Sequence, residues 1–461
     1  MSALWTSAEA EAATLGHASR AFEATGISID TRTLKPGDLF VALKGDARDG
    51  HEFVPAALKA RASAALVSRK QPGLDSDASL LTVANTLRGL EDLARASRAR
   101  THAKIAGVTG SAGKTTTKEM LRLALGANGA THASAASYNN HWGVPLSLAS
   151  MPREAQFGVF EIGMNHFGEV RALVGFVKPH VALITTIAPA HIEFFGTCDA
   201  IADAKSEIFE GIVPGGAALI PADSPYADRL KARAKQAGVS RILSFGKSEG
   251  ADARILSMDE SGDGMKVEAE IAGRSVHFRL GANGAHLASN AVGALLTVSS
   301  LEADVLNAAA ALSEFAALKG RGARFNAGGI EVIDESYNAN PASMAAALAV
   351  LGSAQPVKGA RRIAVLGDML EMGPDAASHH AGLAKDIEST RVDLVFANGA
   401  NMRALYDALP ASRRGAHSST SAELAPQLMA ALHEGDVVLV KGSLGSKMSV
   451  IIDALKARTQ A

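Results

Sequence analysis

Short apolar runs bounded by glycine, proline, asparagine or aspartate recur along this chain. They alternate with longer segments whose apolar residues are spaced for helices. Near the start, a polar turn (Lys35, Pro36, Gly37, Asp38) leads into an apolar run at 39–43. A helical stretch at 53–62, a strand at 64–67 and a helix rich in leucine, alanine and arginine at 85–100 follow. After a boundary near 99–103, a strand at 104–110 runs into a glycine-bounded loop, and further strands are expected at 158–162, 181–187 and 217–220. A third unit opens near Lys319, with strands at 330–333, 363–366, 394–397 and 437–440 and helices between them. Strand–helix alternation of this kind predicts mostly parallel sheets with crossover helices. The expectation is an α/β chain of three domains, at 1–100, 101–318 and 319–461. The central one is a parallel sheet of P-loop ATPase type and the last an open, Rossmann-like sheet. No internal repeat or low-complexity segment stands out.

Composition narrows the function classes. The chain has 461 residues, 47% hydrophobic and 20% charged, as in ordinary folded proteins. Its formal charge of -1 argues against nucleic acid as a principal partner. With one cysteine, Cys198, neither an internal disulfide nor a cysteine-rich zinc site can form, which fits a reducing compartment. Apolar runs are too short for a membrane helix. The N-terminal stretch lacks a basic start and a long apolar core and carries Glu9 and Glu11, so no secretory signal is expected and the cytoplasm is the default.

The strongest chemical motif is Gly110-Ser111-Ala112-Gly113-Lys114-Thr115-Thr116-Thr117, between a predicted strand and a predicted helix. The glycines let backbone N–H groups turn toward a phosphate, and the helix N-terminus adds positive potential. Lys114 can reach terminal phosphates and the Thr115 hydroxyl can ligate Mg²⁺. Val108 stands where the strict Walker pattern has its first glycine, but the shorter G-x-x-G-K-T form is intact. The plain alternative is a glycine-rich turn with an incidental lysine.

Glu161 ends one predicted strand and His191 follows another, at the carboxyl ends where open α/β sheets collect ligands. Lys205, in a helix-like segment, reads from spacing alone as a solvated lysine. Asn139 and Asn140 open a turn (NNHWGVP) that caps a helix or contacts a ligand; local chemistry leaves both open. Asp334, Glu335, Ser336, Tyr337, Asn338 and Asn340 form a polar loop after a strand, with an Asn/Pro turn as the equal alternative. In the segment at 367–373 the methionines read as packing. Adjacent His379 and His380 do not share a helix face, and Cys198 has no nucleophile setting.

Taken in order, these motifs resemble the Mur ligases, ATP-dependent amide-bond ligases of bacterial cell-wall precursor synthesis. Residues 109–119 (TGSAGKTTTKE) look like the ATP loop, 139–145 (NNHWGVP) the substrate-side turn and 160–165 (FEIGMN) the metal strand. Residues 190–196 (AHIEFFG) resemble the loop bearing a metal histidine, and 204–209 (AKSEIF) the segment whose lysine is carbamylated. Gly320-Arg321 matches the arginine that opens the third domain. SYNANP at 336–341, VLGDMLEMG at 365–373 and VKGS at 440–443 are similar to the branch that adds D-alanyl-D-alanine to a UDP-N-acetylmuramoyl tripeptide. Asp30-Thr31-Arg32 and Asp49-Gly50-His51 resemble its uridine-nucleotide domain. The chain departs from that branch in Glu335, where a second aspartate is usual, and in Leu444, where arginine is frequent. The Asp-Asn-Pro-Arg motif of diaminopimelate-adding relatives is absent.

The resemblance implies ATP and Mg²⁺ as cofactors and an acyl-phosphate intermediate. It assigns Lys114, His191 and Lys205 to catalysis, and Gly110 to Thr116, Asn290, Arg321 and Asp334 or Glu335 to ATP. Thr115, Glu161, His191 and carbamylated Lys205 would hold metal. Thr31, Arg32, Asp49, Gly50, His51, Asn139, Asn140, Tyr337, Asn338 and Asn340 would meet the substrates. It implies a monomer that closes its domains around UDP-N-acetylmuramoyl-tripeptide and D-alanyl-D-alanine. Two rival readings are a superfamily ligase with another amine donor and a non-catalytic ATP-binding relative.

Overall fold

β-Branched and aliphatic runs need two covered faces, and the chain supplies them by winding helices around three sheets. A computed structural model describes residues 3–75, 77–135, 137–261 and 264–458.

The first sheet has five strands in the order His17–Ala18, Leu80–Thr82, Ala64–Val67, Asp38–Val41 and Gly26–Ser28, parallel except at the first pair. Helix Thr86–Arg100, capped by the Asn85 side chain on Arg88 N–H (3.0 Å), leaves this unit and packs on helix Gly143–Ala149 of the next. Buried Trp5 donates its indole N–H to Ala149 O (2.9 Å), and the Arg100 guanidinium lies 3.9 Å from its ring centroid. One apolar core therefore runs from the first unit into the second.

The central sheet has nine strands. From one edge they are Arg274–Leu280, Gly264–Ile271, Ala253–Ser261, Arg241–Gly246, Ala217–Pro221, Val181–Ile184, Lys104–Thr109, Phe157–Glu161 and Thr131–Ala133. The expected parallel part is present, and two antiparallel pairings extend one edge: Ala253–Ser261 with Gly264–Ile271, and Gly264–Ile271 with Arg274–Leu280. This antiparallel extension was not anticipated. Its sign is the alternation Met265, Lys266, Val267, Glu268, in which the apolar residues are buried and Lys266 is exposed. Helix Ala285–Ser300 covers one face of this sheet and is buried along most of its length.

The third sheet has six strands in the order Ala323–Asn326, Glu331–Glu335, Val437–Lys441, Arg362–Gly367, Leu394–Asn398 and Arg414–Ser418, parallel after the first antiparallel pair. Two apolar clusters cover its faces. Strand 181–187 is shorter than expected and ends at Ile184, because the Thr185 hydroxyl donates to Ala112 O (2.5 Å) and Ser111 N–H donates to Thr186 O (2.8 Å), drawing the chain into the turn that forms the phosphate loop. Among the described residues, no helix is long and apolar enough to cross a membrane.

Candidate active site

Strand Lys104–Thr109 lies between Val181–Ile184 and Phe157–Glu161, and the carboxyl ends of all three open on one cleft of about 570 Å³. That is where a doubly wound sheet binds ligands. The loop 110–113 turns from strand to helix Lys114–Gly126. Gly110 has φ +151°, and a Cβ there would sit 1.9 Å from Thr185 Oγ1. Gly113 has φ +81°, and its Cβ would meet Asn290 Nδ2 at 2.9 Å. Both glycines are demanded by backbone shape and close approach. Ser111 fixes the loop, its hydroxyl donating to Ala188 O (2.9 Å) and accepting from Ala188 N–H (3.0 Å). Lys114 Nζ donates to Gly110 O at 2.7 Å. Burial lowers its pKa, and Arg321 adds to this while Glu161 opposes it.

Glu161 is 1% exposed at the end of its strand. Its two oxygens accept from Thr115 Oγ1 (2.8 Å) and Asn139 Nδ2 (2.7 Å). Among the described residues, no group of three or more His, Cys, Asp or Glu side chains is arranged to hold a metal. Magnesium does not require one, since it usually takes one or two carboxylates together with phosphate oxygens and water. Thr115 and Glu161 supply adjacent hard oxygens beside the phosphate loop, so the donor set fits that cation.

His191 begins the short helix Ile192–Phe195 with φ +59°. Its Nδ1 lies 2.5 Å from Glu371 Oε2 of the third sheet's domain. Burial lowers the imidazole pKa, Glu371 raises it, and Lys114 and Lys205 lower it further. Lys205, on helix Cys198–Ser206, is 2% exposed. Burial, with repulsion from Lys114, holds its amine well below the usual lysine range. A solvated lysine, the reading from spacing alone, is therefore incorrect: the helix turns this face inward. Cys198 opens the same helix half-buried, its thiol pushed up by burial.

From the third domain, Arg321 donates through Nη2 to Ser137 Oγ (3.2 Å), and its guanidinium lies 3.9 Å from the Tyr337 ring centroid. Ser137 Oγ also lies 3.3 Å from Thr115 Oγ1. Asp334 is 2% exposed, and its carboxylate accepts from Gly320 N–H (3.1 Å), Ser336 N–H (3.1 Å) and Ser336 Oγ (2.6 Å). Glu335, one residue on, lines the cleft and pairs with Lys441 Nζ at 3.1 Å.

Several residues expected to meet substrates also make hydrogen bonds within the protein. Asn140 Oδ1 accepts from Gly143 N–H (2.9 Å) and shapes the start of a helix. Asn340 Oδ1 caps helix Pro341–Ser353 through Ser343 N–H (2.9 Å), and its Nδ2 donates to Ser111 O (3.3 Å). Asn338 Oδ1 accepts from Ala339 N–H (2.9 Å), while Tyr337 remains 37% exposed at the cleft. In the first domain, His51 is buried, 2.6 Å from Asp49 through Nδ1, and accepts from Ser68 N–H through Nε2 (3.0 Å). A Cβ on Gly50 would overlap Leu43 O at 2.5 Å, so this segment is a structural clasp. Arg32 is exposed and forked onto Asp30, whose carboxyl it holds down at about 2. Thr31 precedes it in the same turn, and none of these first-domain residues lines the central cleft.

Three cleft residues, Ser137, His286 and Lys441, and Glu371 beside His191 were given no role in the sequence reading. Ser137 and Glu371 are visible only through the contacts that domain docking makes. Lys441 ends an apolar strand directly opposite Glu335 in the parallel register, a pairing the sequence does not reveal. His286 stands one turn before Asn290 and lines the same cleft.

Known proteins correspond to nearly the whole chain. The family description "Mur ligase family, catalytic domain" matches residues 23–100, "Mur ligase middle domain" matches 108–298, and "Mur ligase, glutamate ligase domain" matches 320–444. The chain is 33% identical over 427 residues to the UDP-N-acetylmuramoyl-tripeptide–D-alanyl-D-alanine ligase of Rickettsia prowazekii, covering 93% of this chain and 94% of that one. It is 33% identical over 434 residues to the Escherichia coli protein of the same name, covering 93% of each. Its fold superposes on crystal structure I of MurF from Acinetobacter baumannii with a TM-score of 0.86 at 31% identity, covering 98% of this chain and 99% of that one.

Proposed function

The chain belongs to the Mur ligase family, and from that premise we propose that it joins D-alanyl-D-alanine to a UDP-N-acetylmuramoyl tripeptide. ATP is cleaved to ADP and phosphate, and the product is a cytoplasmic precursor of peptidoglycan. The observation that carries this reading is the meeting of two loops from different domains: Asn340, in the SYNANP loop, reaches Ser111 of the phosphate loop at 3.3 Å. Nucleotide and amine donor would thus share one cleft. Full-length relatives bearing that substrate pair in their names support the choice of donor.

A carboxylate is a poor electrophile at neutral pH. In the proposed reaction its oxygen attacks the γ-phosphorus, the bond to the ADP oxygen breaks, and an acyl phosphate forms. The free amine of the dipeptide then attacks the acyl carbon. The tetrahedral adduct expels phosphate, which takes the proton lost by nitrogen. Lys114 and the N–H groups of the phosphate loop hold and neutralise the β- and γ-phosphates as charge moves. Thr115 and Glu161 would hold Mg²⁺, which supplies further neutralisation of phosphate charge. His191 and Lys205, the latter as its carbamate, would hold a second ion. The depressed pKa of Lys205 favours the neutral amine that carbon dioxide requires.

Asn290 packs against the loop at Gly113 and Arg321 bridges to Thr115 through Ser137, which supports a place for both beside the nucleotide. Of the two acids Glu335 would face the nucleotide, a reading supported by its place in the cleft and by the Asp334 carboxylate being filled by Gly320 and Ser336. Tyr337 is the exposed aromatic available to the dipeptide. Residues 1–100 would hold the uridine end, 101–318 the ATP and 319–461 the dipeptide, in a monomer. Closure of the third domain excludes water from the acyl phosphate.

The test is phosphate release by the purified protein with ATP and Mg²⁺, adding the UDP-muramoyl tripeptide and D-alanyl-D-alanine singly and together. Release that needs both, with a product heavier by the dipeptide minus water, is the expected result. Release with other amine donors alone would refute the proposed donor.

A further inference from the structure

We propose that Glu371 is a positioning residue for this reaction. From the third domain it occupies Nδ1 of His191, leaving Nε2 as the ring nitrogen for a metal, so that the metal side of the cleft is complete only while the domains are docked. This rests on the reading of His191 as a metal ligand.

Three observations carry it. The contact itself is short, 2.5 Å from Nδ1 to Oε2, and joins residues 180 apart in sequence. Both partners are non-glycine residues in the left-handed region, with φ +59° at His191 and φ +61° at Glu371. Such backbone persists only where its surroundings over-determine it, and it clusters at functional sites. The two loops also meet through main chain: Glu193 N–H donates to Glu371 O at 3.2 Å, and Gly373 turns at φ +64° with its face toward Glu193.

The loop bearing Glu371 is itself fixed. Leu370 N–H donates to Ser443 Oγ (2.9 Å), Met369 N–H donates to His380 Nε2 (2.9 Å), and Met369 and Met372 are buried on either side. A carboxylate on so firm a mount can hold an imidazole in one tautomer and one orientation. The ring lies within electrostatic reach of Lys114 in the phosphate loop and of Lys205, the lysine proposed to become a carbamate. The side chains are 24% and 43% exposed, but an ordinary surface ion pair would need neither the left-handed backbones nor the buried methionines beside it. Histidine ligands usually give their second nitrogen to a carboxylate or carbonyl, and loss of that partner typically weakens metal binding 10–100-fold.

The experiment uses the full-length protein with ADP and bicarbonate. Mn²⁺ serves as the probe, and its binding is followed by electron paramagnetic resonance. Glu371→Gln is expected to weaken one Mn²⁺ site about 10–100-fold, with Glu371→Asp intermediate. Thermal midpoint and ADP affinity in chelator are expected to stay at parental values. Parental Mn²⁺ affinity in Glu371→Gln would overturn the inference. So would a loss of Mn²⁺ accompanied by an equal loss of metal-free ADP binding, which marks a general structural effect. His191→Ala separates the two levels: if it too binds Mn²⁺ like the parent, the reading of His191 has failed. If it loses the site while Glu371→Gln keeps it, only the role of Glu371 has failed.

Discussion

Replacing Gly113 by alanine puts one methyl group at the point where the phosphate loop meets the wall of the cleft. Two costs follow from the structure. Gly113 has φ +81°, and an L-residue held there costs roughly 1–2 kcal/mol. The new Cβ would lie 2.9 Å from Asn290 Nδ2 and 3.2 Å from its Oδ1. Both contacts are too close, and the amide sits on a buried helix that cannot retreat freely. Overpacking of this kind costs about 1–3 kcal/mol. If only ~2 kcal/mol falls on the binding-competent loop, its population and the apparent ADP affinity fall about 30-fold. Calorimetric titration with ADP reads the affinity. A double-mutant cycle on thermal midpoint with Asn290→Ala separates the causes, since trimming Asn290 relieves the steric cost and leaves the backbone cost. ADP affinity within threefold of the parent, or no coupling in the cycle, would refute the reasoning.

Other perturbations test other walls of the site. Asp334→Asn must present an NH₂ to one of three donors, an unmet pairing worth about 1–3 kcal/mol; the thermal midpoint should fall while ADP affinity holds, and the reverse would return Asp334 to the nucleotide. Lys205 reaches its neutral form below the pH an ordinary lysine needs. Activity in carbon-dioxide-poor buffer should therefore rise with pH and with added bicarbonate, and ¹³C-bicarbonate should give a carbamate NMR signal that Lys205→Ala lacks. Asp203 is held at about 2, chiefly by the hydrogen bond from Arg233 and then, against burial, by Arg229. Its stabilisation is present above the unfolded value of about 4 and is lost as pH falls toward 2. Because the arginines are 40% and 41% exposed, about 1 kcal/mol is expected. Asp203→Asn should lower the midpoint at pH 7 and flatten its acid dependence, and an unchanged acid profile would exclude the pair.

The elements legible in the sequence are those whose local signals agree. Strands 104–109 and 437–441 are apolar, short and ended by a turn or a charge. Helix Thr86–Arg100 announces itself with Asn85 as cap and basic residues in its last turn. The phosphate loop is legible because its glycines answer a backbone need that no other residue meets. The antiparallel edge at 253–280 was missed because its alternation lies among many charged residues, and the partner covering its apolar face, helix Ala285–Ser300, comes later in the chain. Lys205 was misread because helical spacing shows which residues share a face but not which face turns inward.

Polar loops resist sequence reading for a different physical reason. An asparagine or histidine in a turn has the same donors whether a ligand or its own backbone uses them. Asn139 and Asn140 are neighbours of one residue type, yet the first donates to Glu161 in the cleft and the second shapes a helix start. Asp334 and Glu335 divide in the same way because alternate strand residues face opposite sides: one carboxylate turns into the backbone of Gly320 and Ser336, the other into the cleft against Lys441. The parallel pairing that sets Glu335 opposite Lys441 joins positions 106 residues apart. Neither side chain has a local signal for that partnership. Only the folded sheet supplies it, and with it the Lys441 hydrogen bond to Asn338 O (3.0 Å) that ties the cleft-facing carboxylate to the SYNANP loop.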